Sequence, residues 1–134
     1  MATPEIEIIL ARQLADCLSV PVFLVDPAGN LLFYNEAAEQ ILGKRFEDTG
    51  EMAVGEWSTI FIPMDKDGNR IPPEELPLVR TIATRKPALG SFIINSLEGK
   101  AIEITVTSYP IIGRSKRFSG AAAIFWPKDN KYEI

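Results

Sequence analysis

The chain has 134 residues, the size of one domain, and its 46% hydrophobic share is enough for a packed core without staples. With 14 Lys+Arg against 18 Asp+Glu it carries a net charge of −4, which excludes nucleic-acid binding by bulk electrostatics as the expected mode. The absence of histidine removes the commonest general base, metal ligand, proximal haem ligand and phospho-accepting side chain. One cysteine, Cys17, excludes an internal disulfide and suits a reducing compartment. There is no basic-then-apolar leader and no run of apolar residues long enough to span a bilayer. The expected address is therefore the cytoplasm, away from any membrane.

Thr3-Pro4-Glu5 has the chemistry of a helix start: a hydroxyl cap, proline at the first helical position and an acid at the positive dipole end. Ile6, Ile9, Leu10, Leu14, Cys17 and Leu18 recur at helical spacing, predicting an amphipathic helix within residues 1–18. Its stripe must be covered by its own domain or by a second copy. In the second case Ile6, Ile9, Leu10, Leu14 and Cys17 are the candidate contacts of a homodimer. Val20 to Val25 is β-rich, Asp26-Pro27-Ala28-Gly29-Asn30 is a turn, and Leu31 to Tyr34 returns, so residues 20–34 are predicted to form a hairpin. Asn35 caps a short helix over Glu36 to Leu42, and Gly43 is placed to end it. Residues 44–62 are ambiguous, with short helical turns expected around Trp57, Ile60 and Phe61.

Pro63 to Pro73 is dense in helix and strand breakers and reads as loop. Asp65-x-Asp67-Gly68 has a trace of a calcium loop, but the glycine falls too early and the bidentate glutamate is misplaced, so a turn is expected. Glu74 and Glu75 open a helix predicted to run to about Lys86, with Pro77 tolerable only in its first turn. Leu89 to Asn95 and Ala101 to Tyr109 are strands joined across Ser96-Leu97-Glu98-Gly99. In the second, Ile102, Ile104, Val106 and Ser108 alternate with Glu103, Thr105, Thr107 and Tyr109. Arg114, Lys116 and Arg117 form the densest basic cluster, read as a solvated hairpin loop with a docking patch for an acidic partner as the alternative. Phe118 to Trp126 is the last strand and contains the small run Gly120-Ala121-Ala122-Ala123.

The order of elements gives an α+β fold: one five-stranded antiparallel sheet with helices on one face, plus the N-terminal amphipathic helix. Three segments resemble a PAS domain. Phe23-Leu24-Val25-Asp26-Pro27-Ala28-Gly29-Asn30-Leu31-Leu32-Phe33-Tyr34-Asn35 with Ala37-Ala38 and Leu42-Gly43 is similar to the PAS opening. Asp67-Gly68-x-x-Ile71-Pro72 with Glu75-Leu76-Pro77-Leu78 and Arg80 resembles the loop and helix of a bacterial sensor subgroup. Gly99-x-x-Ile102-Glu103-Ile104-x-Val106 with Pro110 and Gly120-Ala121 resembles the closing hairpin and strand. The resemblance covers about residues 8–127. It divides the chain into a helix (1–18), a PAS-like domain (19–127) and a tail (128–134).

The resemblance implies a sensory or protein-interaction module with a cavity between the sheet and the central helices. It also implies dimers through the N-terminal helix and signals leaving through the termini to an effector in cis or in trans. Family members carry haem, flavin, small organic ligands or nothing. Light-sensing flavin members place a cysteine in an Asn-Cys-Arg motif on a central helix, whereas Cys17 lies on the N-terminal helix. Cysteinyl-flavin photochemistry and histidine-ligated haem are therefore not expected, and no cofactor is assigned. Where members often end in Asp-Ile-Thr, this chain has Phe125-Trp126-Pro127-Lys128-Asp129.

Strand alternation predicts the lining of such a cavity: Phe23 with Val25, Phe92 with Ile94, and Ile104, Val106 and Ser108 from the set beginning at Ile102. The last strand would add Ala122 and Ile124, on the face shared with Gly120 and Trp126, and Trp57, Phe61, Val79 and Ile82 would close the space from the helices. Small Gly120 and Ala122 and the lone polar Ser108 favour a cavity. The alternative is an ordinary filled core and a domain that works only through its surfaces as a dimerisation or docking module. A ligand there would be largely apolar, such as an acyl chain or an aromatic metabolite. Catalysis is not expected: Asp26 and Tyr34 flank a turn, and Tyr109 lies on the polar side of its strand, so no set of reactive groups converges.

Overall fold

Five strands pair antiparallel: β1 (Val22–Val25), β2 (Leu31–Tyr34), β3 (Ala88–Asn95), β4 (Ala101–Ile112) and β5 (Phe118–Pro127), in the spatial order β2-β1-β5-β4-β3. This computed structural model describes residues 6–60, 63–95 and 99–128, with the side chains of 58–60 outside that description. The expected cap at Thr3, the side chain of Ile60, Phe61, residues 96–98 of the β3–β4 turn and the tail beyond Lys128 therefore lie outside the described residues.

The hairpin forms because Asp26 organises its own turn. Its Oδ1 accepts the backbone N–H groups of Ala28 (3.0 Å) and Asn30 (2.9 Å), while Gly29 takes the left-handed φ of 92° that the reversal needs. One face of the sheet carries Phe23, Val25, Ile94, Ile104, Val106, Ala123 and Phe125. These pack in one cluster with Ala38 and Leu42 of α2 (Glu36–Leu42), Trp57 of α4 (Val54–Ile60) and Leu78 of α5 (Pro77–Thr84). Between α2 and α4 lies the single turn α3 (Phe46–Thr49). The opposite face carries Val22, Leu24, Phe33 and Ala122 and is covered by α1 (Ile6–Asp16) through Ala11 and Ala15, with the Arg12 guanidinium 4.4 Å from the Phe33 ring centroid.

Four expectations are corrected by local chemistry. The helix predicted from Glu74 to Lys86 is split into a 3-10 turn (Pro73–Glu75) and α5, because Pro77 forces Leu76 into an extended conformation (ψ 140°) and itself takes the first helical position. Strand β4 continues past Tyr109 through Pro110 to Ile112. Pairing with β3 stops at Ser108, so the missing proline N–H falls where β4 has no neighbour on that side. The smallness of Gly120 serves strand contact: a Cβ there would sit 2.3 Å from the Val25 carbonyl oxygen and 3.2 Å from Ile8 Cδ1. Helix α1 buries Ile8 and Ala15 against the sheet, while the larger stripe of Ile6, Ile9, Leu10 and Leu14 faces outward.

Asn35 fastens the two layers together. Its Oδ1 accepts the N–H of Ala38 (3.1 Å), capping α2, and the N–H of Val22 (3.0 Å), the first residue of β1. Its Nδ2 donates to the carbonyls of Ala15 (2.9 Å) in α1 and Val20 (2.9 Å) in the linker. The side chain is 1% exposed, so neither partner nor water can replace what it loses. Asn35→Ala should lower the unfolding free energy by about 2–4 kcal/mol, the sum of a lost cap and orphaned buried groups. Urea denaturation checks this, and Asn35→Asp at neutral pH should cost at least as much as Ala, because it turns a buried carboxylate oxygen toward the Ala15 and Val20 carbonyls.

Candidate functional site

Between the sheet and the helices lies a cavity of about 70 Å³, several times the ~10–15 Å³ that one water needs. Its wall is built from Phe23 of β1, Leu42 of α2, Trp57 of α4 and Leu78 of α5. Strands β3, β4 and β5 give Phe92, Ile94, Ile104, Val106, Ala123 and Phe125, and Pro63, Leu76 and Pro77 complete the described lining. Among the described residues no acid, base, hydroxyl or amide side chain lines it. A water entering it finds no polar side chain among the described residues to hold it and gains little there.

The wall is stiffened by aromatic contacts and by hydrogen bonds made on its far side. Phe23 stacks on Tyr34 (centroids 5.3 Å apart) and meets Trp57 and Phe125 edge-on at 6.0 and 5.9 Å. The Trp57 indole N–H donates to the Gly29 carbonyl at 2.7 Å, which ties α4 to the β1–β2 turn. The Tyr34 hydroxyl donates to the Lys44 carbonyl at 2.9 Å and lies 3.2 Å from Thr49 Oγ1. Burial raises the Tyr34 pKa above its ordinary value, the Thr49 hydrogen bond partly offsetting this, so the phenol stays neutral through the physiological range. Each polar tip is thus satisfied away from the cavity while its ring faces the aromatic cluster.

The structure gathers Phe23, Trp57, Phe92, Ile94, Ile104 and Val106 around the cavity, as the alternation pattern predicts. Val25, Val79 and Ile82 pack into the same core without lining the space. Ser108 is fully buried but is taken up by Thr81 of α5, their hydroxyl oxygens 2.6 Å apart, and offers nothing to a ligand. Ala122 and Ile124 are displaced to the other face: Ala122 packs beneath α1 with Ala15, Leu24 and Phe33, and Ile124 joins that cluster. The assignment of β5 was one residue out of phase, and Ala123 and Phe125 are its inward residues.

Pairing explains the phase. Ala123 sits opposite Phe23 on β1 and Ser108 on β4, and cross-strand partners share a face. Four consecutive small residues carry no alternation of their own, so only the register could have revealed it. Leu42, Pro63, Leu76, Pro77 and Leu78 were also missed. The Leu76-Pro77-Leu78 run is apolar in the sequence, but nothing local shows that the pre-proline kink turns it inward.

A family model described as a PAS domain matches residues 10–76, half of the chain. The chain belongs to the PAS family. Solved PAS domains share its fold throughout. One from Colwellia psychrerythraea aligns with a TM-score of 0.62 at 16% identity, covering 90% of this chain and 95% of that one. The PAS domain of the fruit-fly ELK potassium channel gives 0.70 at 12%, covering 96% and 100%. The PAS domain of Bordetella pertussis BvgS gives 0.60 at 14%, covering 93% and 88%. No curated protein matches the sequence. PAS domains are typically sensory and signalling modules, and among the described residues no helix of this one is long and apolar enough to cross a membrane.

Proposed function

We propose that this PAS domain is a cytoplasmic sensory module that takes a small apolar molecule into the cavity beneath its sheet and signals through protein–protein contacts. The observation that carries this reading is the lining itself: thirteen described residues, all apolar, around a space that close packing would otherwise fill. A guest there gains burial at ~25 cal/mol/Å² and restores lost dispersion contacts, and ordering costs hold its affinity to about micromolar. The reading is of binding rather than catalysis, since among the described residues no group able to exchange a proton or attack a carbonyl lines the space. The reading includes no cofactor, because the chain has no histidine and Cys17 is exposed at the end of α1, whereas the cavity lies on the other side of the sheet.

Output is proposed to run through α1 to an effector in cis or in trans, with a second copy of the domain as the immediate partner. Leu10 and Leu14 are 55% and 58% exposed, and Ile6, Ile9 and Leu18 continue the same uncovered stripe. Neither nucleic acid nor membrane enters the proposal, given the net charge of −4.

Two measurements test these proposals. Ala123→Leu places extra carbons into the cavity; it should abolish the thermal shift that benzene or indole produces in wild type while leaving the melting temperature unchanged or raised. In a filled core the same change overpacks and costs about 1–3 kcal/mol, and a sharp drop in melting temperature with no ligand response in wild type would refute the cavity. For assembly, wild type should scatter light as a dimer at tens of micromolar and Leu10→Glu as a monomer, because burying the unpaired charge costs several kcal/mol. A monomeric wild type would remove the dimer.

A further inference from the structure

A ligand in this cavity finds no polar side chain among the described residues of its lining, so a polar group it carries is better placed where the wall opens to the surface. Two wall residues, Pro77 and Phe92, also line a second concavity, a surface groove of about 360 Å³. The groove contains two guanidinium groups, Arg70 and Arg80, and two carboxylates, Asp65 and Glu75. These four charges differ in what they are already doing.

Arg80 is fixed in place. Its Nη2 donates to the Leu89 carbonyl at 3.0 Å, which holds the guanidinium against β3. One hydrogen bond leaves most of its five N–H donors open. The Arg70 side chain has no hydrogen bond or ion pair among the described residues. Asp65 is committed to its turn, Oδ1 accepting the N–H groups of Asp67 and Asn69 at 2.9 Å each. Asp65 keeps its negative charge while held in the turn, and Glu75, whose carboxylate makes no hydrogen bond or ion pair among the described residues, is the carboxylate better able to move toward the two guanidiniums.

We propose that the ligand is an amphipathic monocarboxylate, its apolar body in the cavity beside Pro77 and Phe92 and its carboxylate on Arg70 and Arg80 in the groove. The inference rests on the reading of the cavity as a ligand site and adds the chemical class of the ligand. Guanidinium presents paired N–H donors in the geometry a carboxylate accepts, and charge-assisted bonds of this kind are stronger than neutral ones. The open N–H donors of the two arginines can take one carboxylate, while the charges of Asp65 and Glu75 in the same groove disfavour a second, which is why a monocarboxylate fits better than a dianion.

Calorimetric titration with octanoate and with its neutral isostere octanamide tests the proposal. Wild type should bind octanoate about tenfold more tightly than octanamide, a preference that weakens with salt. Arg70→Gln, which breaks no contact seen in the fold, should bring the two ligands to within about threefold of one another, and Arg80→Gln should act in the same direction. Glu75→Gln removes the competing charge and should widen the preference for octanoate. Equal binding of acid and amide by wild type would overturn the carboxylate site while leaving the apolar cavity standing. A preference for octanoate that survives both arginine variants would overturn it by placing the carboxylate elsewhere. If neither octanoate nor octanamide binds, the proposal falls, and the benzene response of wild type against Ala123→Leu separately decides whether the cavity reading falls with it.

Discussion

Four hydrogen bonds from one buried amide hold this domain in its layered form. Asn35 connects the carbonyl of Ala15 at the end of α1, the carbonyl of Val20 in the linker, the N–H of Val22 at the start of β1 and the N–H of Ala38 in the first turn of α2. The donors and the acceptor of a single side chain thereby set where three elements begin or end. Asparagine alone among the small polar residues presents both kinds of group in one plane at this length. With α1 fixed to one face of the sheet and α2 leading into the other, the chain has no freedom to bring α4 and α5 anywhere but across the inner face.

That arrangement accounts for the cavity. The helices over the inner face do not follow the sheet closely: α2 and α4 each have seven residues, and the path between α4 and α5 is broken by Pro63, by the Asp65–Asn69 turn and by Pro77. Short helices held at their ends by polar contacts cannot slide to fill space. Trp57 is anchored to Gly29, Tyr34 to Lys44 and Ser108 to Thr81, so the groups that would have to move inward are tied on their outer sides. A core of this kind keeps a void because collapse would cost hydrogen bonds that the lining's dispersion energy cannot replace. The outer face shows the opposite case. There Ala11, Ala15, Gly120 and Ala122 are small, and α1 lies close enough to leave its own larger side chains exposed.

Much of this was legible in the sequence where the determining chemistry is local. The hairpin followed from the Asp26–Asn30 turn, the cap from Asn35, and the faces of β4 from its strict alternation. What was not legible depends on partners distant in the chain. The phase of β5 is hidden in Gly120–Ala123 because side-chain size does not alternate there, and it is set by pairing with Phe23 nearly a hundred residues earlier. Ser108 read as a polar group offered to a ligand because its partner Thr81 lies 27 residues away on another element. The α1 stripe of Ile6, Ile9, Leu10 and Leu14, read as covered by its own domain or by a second copy, is left off the sheet, because the helix turns Ile8, Ala11 and Ala15 to it.

The account stands on the cavity being a real, dry space open to apolar guests. Crystals of the domain pressurised with xenon test that directly, because xenon enters apolar voids and is located without knowledge of the natural ligand. The account predicts a xenon site enclosed by Phe23, Leu78, Val106 and Ala123, with those side chains in place. Density showing those side chains in mutual van der Waals contact, with no xenon between them, would contradict it.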